Sequence, residues 1–169
     1  MSYQEKKTLV TIATGIIILI AYIALILPKY AVGVNSEDLK FWASTILSFI
    51  GISVVVIIVV QILFHILFSV SIAVSESVKG AIKDESVDDK SIIDRKIKIE
   101  MVEDERDKII ELKATRIGYS FTGLGVAIAL FSLVFDYSPA IMLNILFLSY
   151  LIGSLIEGFV QLFYYRKGY

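Results

Sequence analysis

The sequence predicts an all-α integral membrane protein with four transmembrane helices, a long second helix and a charged amphipathic helix that leads into the third span. Hydrophobic residues make up 57% of the 169-residue chain, which is more than a soluble domain usually contains. Four apolar runs, at about 9–28, 41–66, 117–136 and 140–163, are each long enough to cross a bilayer as a helix. Such continuous runs also exclude the alternating pattern of a membrane β-barrel.

The first apolar run is expected to stay in the protein as a signal anchor. It extends from Leu9 to Leu27, is closed by Pro28, and is longer than the hydrophobic region of a secretory signal peptide. No convincing small-residue cleavage site follows it. The whole chain is therefore predicted to be a single membrane domain.

The second helix is expected to be unusually long. Asn35 or Ser36 is suited to cap its start, Trp42 is suited to the outer membrane interface, and Gly80 is suited to its end. A helix over 36–79 is about 65 Å long at 1.5 Å per residue, roughly twice the hydrocarbon thickness of a bilayer. Its last third must tilt, bend or project, and the segment that follows is the best candidate to cover it.

The distribution of basic residues predicts the orientation. Of the 16 Lys and Arg residues, only Lys29 and Lys40 lie on one side of the predicted spans. By the positive-inside rule, both termini and the segment 81–116 are cytoplasmic, and the protein is a multipass protein of the cell membrane in contact with its lipid. The net charge of −1 gives no reason to expect direct nucleic-acid binding.

The cytoplasmic segment 81–116 is predicted to form two helical pieces with a break near residue 99, the second running directly into span three. Asp94 with Lys98, and Asp104 with Lys108, are acid-to-base pairs four residues apart, which favour a helix. Apolar residues recur at helical spacing and predict an amphipathic stripe. Its members are Ile92, Ile93, Ile97, Met101, Val102, Ile109, Ile110 and Leu112.

Acidic residues are crowded just before span three, among them Glu100, Glu103, Asp104, Glu105 and Asp107. One interpretation is a solvated helix face held by its own ion pairs. Other interpretations are contact with a partner protein or with the basic side chains of a second subunit. A divalent-cation site through Glu103 and Asp107, or through Glu100 and Asp104, is a further alternative, although such a site needs more oxygen ligands.

The run DERDKIIELKATR, followed by a span that contains Gly and Ala, resembles a family of small four-helix prokaryotic membrane proteins known as a domain of unknown function. That family carries a DERD…I…KA.R block before its third span. The resemblance covers about residues 95–165 by motif and implies the membrane fold and location without any established reaction. It also implies a regulatory or stress-linked role, since such proteins accompany small transcriptional regulators. Besides Ala114, the shared block comprises six charged residues, here named the interaction block: Asp104, Glu105, Arg106, Asp107, Lys113 and Arg116.

Spans three and four are predicted to form a tight hairpin. Ser138 followed by Pro139 is a favourable helix start, and the connection before it is short. Small residues four apart allow helix backbones to approach closely in a membrane. Four such pairs occur: Gly123 with Ala127, Gly125 with Ala129, Ser149 with Gly153, and Ser154 with Gly158.

Four polar side chains fall at a similar predicted depth within the spans. They are Gln61, His65, Glu157 and Gln161. They are predicted to form one buried network, with Lys113 and Arg116 also within reach of Glu157. The network either holds helices together or relays protons or cations through Glu157 and His65, since ionisable residues inside a membrane mark functional sites.

The predicted function is protein interaction without catalysis, in a regulatory, accessory or immunity-like role. The chain has no cysteine and one histidine, and no nucleophile elbow, zinc-protease motif or phosphate-binding loop, so no catalytic residue, metal or cofactor is predicted. The alternative is a transporter or channel subunit that moves protons or small cations by way of Glu157. Four spans are few for a conduit, so a homo-oligomer, dimer or larger, is expected.

Overall fold

The computed structural model describes residues 2–31, 39–83 and 89–168, and in these ranges it contains five α-helices and no strand. The helices are α1 (Tyr3–Ala31), α2 (Leu39–Lys83), α3 (Asp89–Met101), α4 (Glu105–Val134) and α5 (Pro139–Lys167). By length and composition, α1, α2, α4 and α5 each contain a stretch able to cross a membrane. The predicted all-α architecture with four apolar helices is confirmed.

Helix α5 lies at the centre of the bundle. It packs along the length of α4 and also contacts α1 and α2. Helix α1 packs against α2 as well, and the short α3 lies against α2 and α1. The position of α3 agrees with the prediction that the segment after the long helix covers part of its surface.

Two predicted helix ends are wrong. Helix α1 continues through Pro28 to Ala31, and α2 continues through Gly80 to Lys83, for a total of 45 residues and a length of about 67 Å. A glycine costs only about 1 kcal/mol in a helix interior, so it does not stop a helix that is otherwise favourable. The predicted caps Asn35 and Ser36 lie outside the described residues.

The break between the two helical pieces of the charged segment falls after residue 101, and not near residue 99. Helix α3 ends at Met101, and α4 then runs without interruption from Glu105 to Val134, which confirms that the second piece feeds directly into the third span. The predicted apolar stripe is not one buried face. Ile110 is buried, whereas Val102, Ile109 and Leu112 are exposed.

Helix α5 begins as the sequence predicts. Pro139 occupies the first turn and Ser138 has the extended backbone of a cap residue. The Ser138 side chain makes no capping hydrogen bond. The start of α5 therefore depends on the backbone angle of proline, which is already helical.

An aromatic core fills the end of the bundle away from the termini, where α1, α2 and α5 meet. Trp42 and Tyr22 are fully buried, at 0% exposure. The expectation that Trp42 anchors a lipid interface is therefore wrong, because its ring packs inside the bundle with Ile18, Ile46 and Phe147. The hydroxyl of Tyr22 donates a hydrogen bond of 2.5 Å to Oδ1 of Asn144.

The predicted hairpin of the third and fourth spans is present as the α4–α5 pair, and small residues bring the two backbones together. A Cβ atom added at Gly118 would lie 2.8 Å from the carbonyl oxygen of Gly153. One added at Gly125 would overlap the side chain of Ser149. Gly123, in contrast, faces open space, so only one of the two predicted small-residue pairs of α4 lies in the interface.

Candidate functional site

Polar side chains gather at the end of the bundle where α1 begins and α5 ends, here named the terminal end. An ion pair joins these two helices, with 3.6 Å between Nε of Arg166 and Oε1 of Glu5. The Glu5 side chain is 13% exposed and the Arg166 side chain 63% exposed. The two helix ends are therefore adjacent and electrostatically complementary.

Two of the predicted network residues bind threonines of α1. The Gln61 amide Nε2 donates to Oγ1 of Thr11 over 2.6 Å, which joins α2 to α1. The hydroxyl of Thr8 donates to Oε1 of Gln161 over 3.0 Å, which joins α1 to α5. Helix α1 therefore stands between the two glutamines and binds one on each side.

Glu157 is used in the α4–α5 interface. Its Oε1 accepts a hydrogen bond of 2.6 Å from the hydroxyl of Thr115, and its Cβ lies beside Gly118. The side chain is half-buried. The partner is thus a neutral hydroxyl on the neighbouring helix.

His65 lies on the seam between α1 and α2. Its ring meets the ring of Tyr3 edge-on, with 6.3 Å between centroids and an angle of 89°. Tyr3 is buried against Phe64 and Phe68 of α2, whereas His65 is exposed. The aromatic ring of Tyr3 therefore fixes where the imidazole sits.

The four predicted network residues are not joined to one another. Among the described residues no hydrogen bond connects any two of Gln61, His65, Glu157 and Gln161, and each contacts a different side chain. The sequence reasoning missed the three threonines that serve as partners. The available signal was that Ser and Thr side chains in membrane spans form hydrogen bonds between helices.

The first residues of the interaction block form a capping box at the start of α4. The amide of Asp107 donates to Oδ1 of Asp104 over 2.7 Å, and the amide of Asp104 donates to Oδ2 of Asp107 over 3.2 Å. Each carboxylate thus satisfies an amide that the helix itself leaves unpaired. The sequence contained this signal, an aspartate followed three residues later by another acid, but it was interpreted only as part of a surface.

The rest of the interaction block lies on exposed positions of α4. Glu105, Arg106, Lys113 and Arg116 are all exposed, whereas Asp107 is half-buried. The block therefore combines two aspartates that organise the helix start with exposed charges, of which Arg106 borders a cavity towards the start of α1.

Acidic side chains and a tyrosine come together where α4 begins and α5 ends. Partial burial, followed by the neighbouring Glu103, raises the pKa of Glu111, and the positive charge of Lys7 opposes the shift. Burial and the neighbouring Asp107, to which it hydrogen-bonds, raise the pKa of Tyr165. This contact links the capping box to the last turns of α5.

The described residues contain no group of three or more His, Asp or Glu side chains arranged to hold a metal ion. The divalent-cation alternative through Glu103 and Asp107, or through Glu100 and Asp104, thus gains no support from this part of the chain. Carboxylates at the start of α4 are engaged instead in hydrogen bonds with backbone amides and with Tyr165.

Among the described residues, two cavities border these polar groups and a third lies farther along the bundle. A polar cavity of about 400 Å³ lies at the terminal end between the starts of α1 and α4, with Glu5, Glu100 and Arg106 in its wall. An open crevice of about 300 Å³ lies between α1 and α2 beside Lys7 and His65. A third, apolar groove of about 390 Å³ lies between α1, α2 and α5, nearer the aromatic core.

Comparison with family models, with curated proteins and with solved structures returned no match to this chain. The resemblance of the interaction block to a family of small prokaryotic membrane proteins therefore stays a prediction.

Proposed function

We propose that this chain is a small, non-catalytic membrane protein of the cell membrane that acts by binding another protein, in a regulatory, accessory or immunity-like role. Both termini and α3 face the cytoplasm. The partner is a different membrane or cytoplasmic protein, or a second copy of the chain. The proposal rests mainly on which hydrogen bonds the polar side chains of the spans make.

The supporting observation is that polar side chains within the apolar helices are paired between helices. Thr11 with Gln61 joins α1 to α2, and Thr115 with Glu157 joins α4 to α5. A transport path needs polar groups that converge on a water-accessible passage, whereas these bonds bind neighbouring helices to one another. Glu157 does not border any of the three cavities described above.

The interaction surface is the exposed charged side of the first turns of α4. The capping box of Asp104 and Asp107 fixes the backbone there, so the exposed charge of Glu105 is presented from a rigid helix start. A preorganised surface loses less conformational entropy when a partner binds. Complementary charges on the partner would supply specificity and a faster encounter.

The capping role of the two aspartates decides which residue at the start of α4 is suitable for a test. Reversing Asp104 or Asp107 would damage the helix start as well as the surface, so Glu105, which is exposed, is the better probe. A photo-reactive amino acid at position 105 of the full chain in its native membrane is expected to yield one dominant cross-linked protein. A second copy of the chain would appear as a homodimer.

The matched variants are Glu105→Lys and Asp94→Lys, both charge reversals at exposed positions. With the photo-reactive amino acid moved to position 109, Glu105→Lys is expected to remove the cross-link, whereas Asp94→Lys, on α3, is expected to keep it. Thermal unfolding of both variants checks that the fold is unchanged. A cross-link that survives Glu105→Lys would contradict the proposed surface.

The alternative, a homo-oligomeric proton or cation pathway, draws on the carboxylate of Glu157 being only half-buried. Purified protein in liposomes separates the two proposals. No flux above protein-free liposomes is expected for the wild type or for Glu157→Gln. Flux that is lost in Glu157→Gln, with oligomer size and melting unchanged, would favour transport.

A further inference from the structure

The crevice between α1 and α2 at the terminal end combines polar donors with an apolar floor. Its wall contains Tyr3 and Lys7 of α1 and Gln61 and His65 of α2, and its volume is about 300 Å³. Its floor is made by Ile62 and Ile66, whose side chains are 54% and 51% exposed. Polar and apolar groups therefore line the same opening.

The polar groups of the crevice are suited to an anion. Lys7 carries a positive charge, and the imidazole of His65 and the amide of Gln61 each supply N–H donors. Lys6 lies one residue away, with its Nζ 5.0 Å from the centre of the Phe68 ring. The crevice also lies beside the first two turns of α1, where the helix dipole favours negative charge.

Nearby carboxylates oppose only part of this charge. Glu5, the acid closest to these lysines in the chain, pairs with Arg166. Glu111 of α4 interacts with Lys7 and opposes part of its charge. Lys6 is next to Lys7 in the sequence and adds a second positive charge near the crevice.

The depth of the crevice selects a lipid over a soluble anion. Lys7 lies two residues before the apolar run of α1 that begins at Leu9, whereas the apolar run of α2 continues past His65 as far as Val74. On α2 the exposed Ile62 lies one turn before His65, and the exposed Ile66 directly follows it. The crevice therefore lies at the end of the apolar run of α1 and against apolar surface of α2. Basic pockets between membrane helices bind anionic headgroups, because acyl chains cover the adjoining apolar surface while the phosphate meets the cations.

We propose that this crevice is a binding site for one anionic phospholipid, with the phosphate held by Lys7, His65 and the Gln61 amide, and an acyl chain against Ile62 and Ile66. The lipid seals the α1–α2 seam, where Tyr3 packs on Phe64 and Phe68. The proposal requires only that α1 and α2 lie in a membrane, and it is independent of any protein partner.

The experiment uses the purified full chain in an uncharged detergent. Phosphatidylglycerol, phosphatidylcholine or inorganic phosphate is added, and melting temperature is measured together with lipid retention by native mass spectrometry. Phosphatidylglycerol is expected to raise the melting temperature and to be retained at one molecule per chain. Phosphatidylcholine and inorganic phosphate at the same concentration are expected to do neither.

The variants are Lys7→Gln, His65→Gln and Lys7→Arg, with Lys108→Gln as the control because Lys108 is an exposed lysine outside the crevice. Lys7→Gln and His65→Gln are each expected to lose more than half of the melting shift. Lys7→Arg and Lys108→Gln are expected to keep it. The melting temperature without lipid shows whether each variant is folded, and Lys7→Arg supports the charge argument if Lys7→Gln unfolds.

Three outcomes overturn the proposal. An equal shift with phosphatidylcholine would remove the role of the anionic headgroup. An equal shift with inorganic phosphate would assign the crevice to a free anion instead of a lipid. An unchanged shift in both Lys7→Gln and His65→Gln would place the bound lipid elsewhere on the protein.

Discussion

The close approach of α4 and α5 makes a sharp prediction for Gly125. A Cβ added at this position would overlap the Cβ and Oγ of Ser149 and would lie 3.4 Å from the Ser149 Cα. Gly125→Ala therefore forces either the serine or a helix to move. Overpacking of this kind costs about 1 to 3 kcal/mol, and alanine regains about 0.5 to 1 kcal/mol through its better helix preference.

The net expectation is a loss of about 0 to 2.5 kcal/mol in the free energy of unfolding, and the overlap with two Ser149 atoms favours the upper part of this range. The assay is denaturation of the purified protein in mixed detergent micelles, followed by far-ultraviolet circular dichroism. Gly123→Ala is the matched control, because it makes the same change two residues away on α4 at a position that faces open space. The control should be neutral or slightly stabilising.

The obstacle at Gly125 is almost entirely the Ser149 side chain, so a second substitution should remove it. In a Ser149→Gly background, Gly125→Ala is expected to become neutral or stabilising. The coupling energy between the two sites should then be about 1 to 3 kcal/mol, within the range for residues in contact. Additive effects, or equal destabilisation by Gly123→Ala, would refute the packing argument.

Asp104→Ala should lower the free energy of unfolding by about 1 kcal/mol, because the cap of α4 is lost, whereas Asp104→Asn should have little effect. Thermal melts of the two variants test this, and equal losses of stability would contradict the capping role. A double-mutant cycle of Thr8→Val and Gln161→Leu should give a coupling of about 0.6 kcal/mol, typical of bonds between membrane helices, and a coupling of zero would mean that the bond adds no stability. The pKa of Glu111 is raised in the folded state, so the folded state binds this proton more tightly than the unfolded state does. The resulting contribution to stability is complete below the ordinary carboxyl pKa. It is lost as the pH rises through the raised pKa. Glu111→Gln should flatten that part of the profile of melting temperature against pH above the ordinary carboxyl pKa. An unchanged slope would show that another group is responsible.

The four apolar helices were predictable because a bilayer-length apolar run has few other stable structures. The helix ends were harder to predict. Pro28 and Gly80 suggested termination, yet both lie inside helices, and one glycine costs a helix only about 1 kcal/mol. The break before α4 lies at residues 102–104 and not near residue 99, although the capping aspartates that define it are visible in the sequence.

The polar side chains of the spans show a second limit of prediction from sequence. Counting residues along a helix gives the depth of a side chain but not the direction in which it points relative to the other helices. Gln61 and Gln161 were expected at a similar depth and in one network, but α1 lies between them, and its Thr11 and Thr8 bind one each. The rotation of each helix is set by packing of side chains such as Tyr3 and Trp42, which a single sequence does not display.

The central position of α5 has a consequence for how the protein is made. If the four apolar helices enter a membrane in chain order, α1 and α2 can pair early, whereas α4 precedes the helix that provides its main contacts. Until α5 arrives, the glycine face of α4 and the hydroxyl of Thr115 meet lipid or an insertion factor. Helix α5 then packs against α1, α2 and α4, which precede it in the chain. A chain released before residue 139 would lack α5, the helix along which α4 packs.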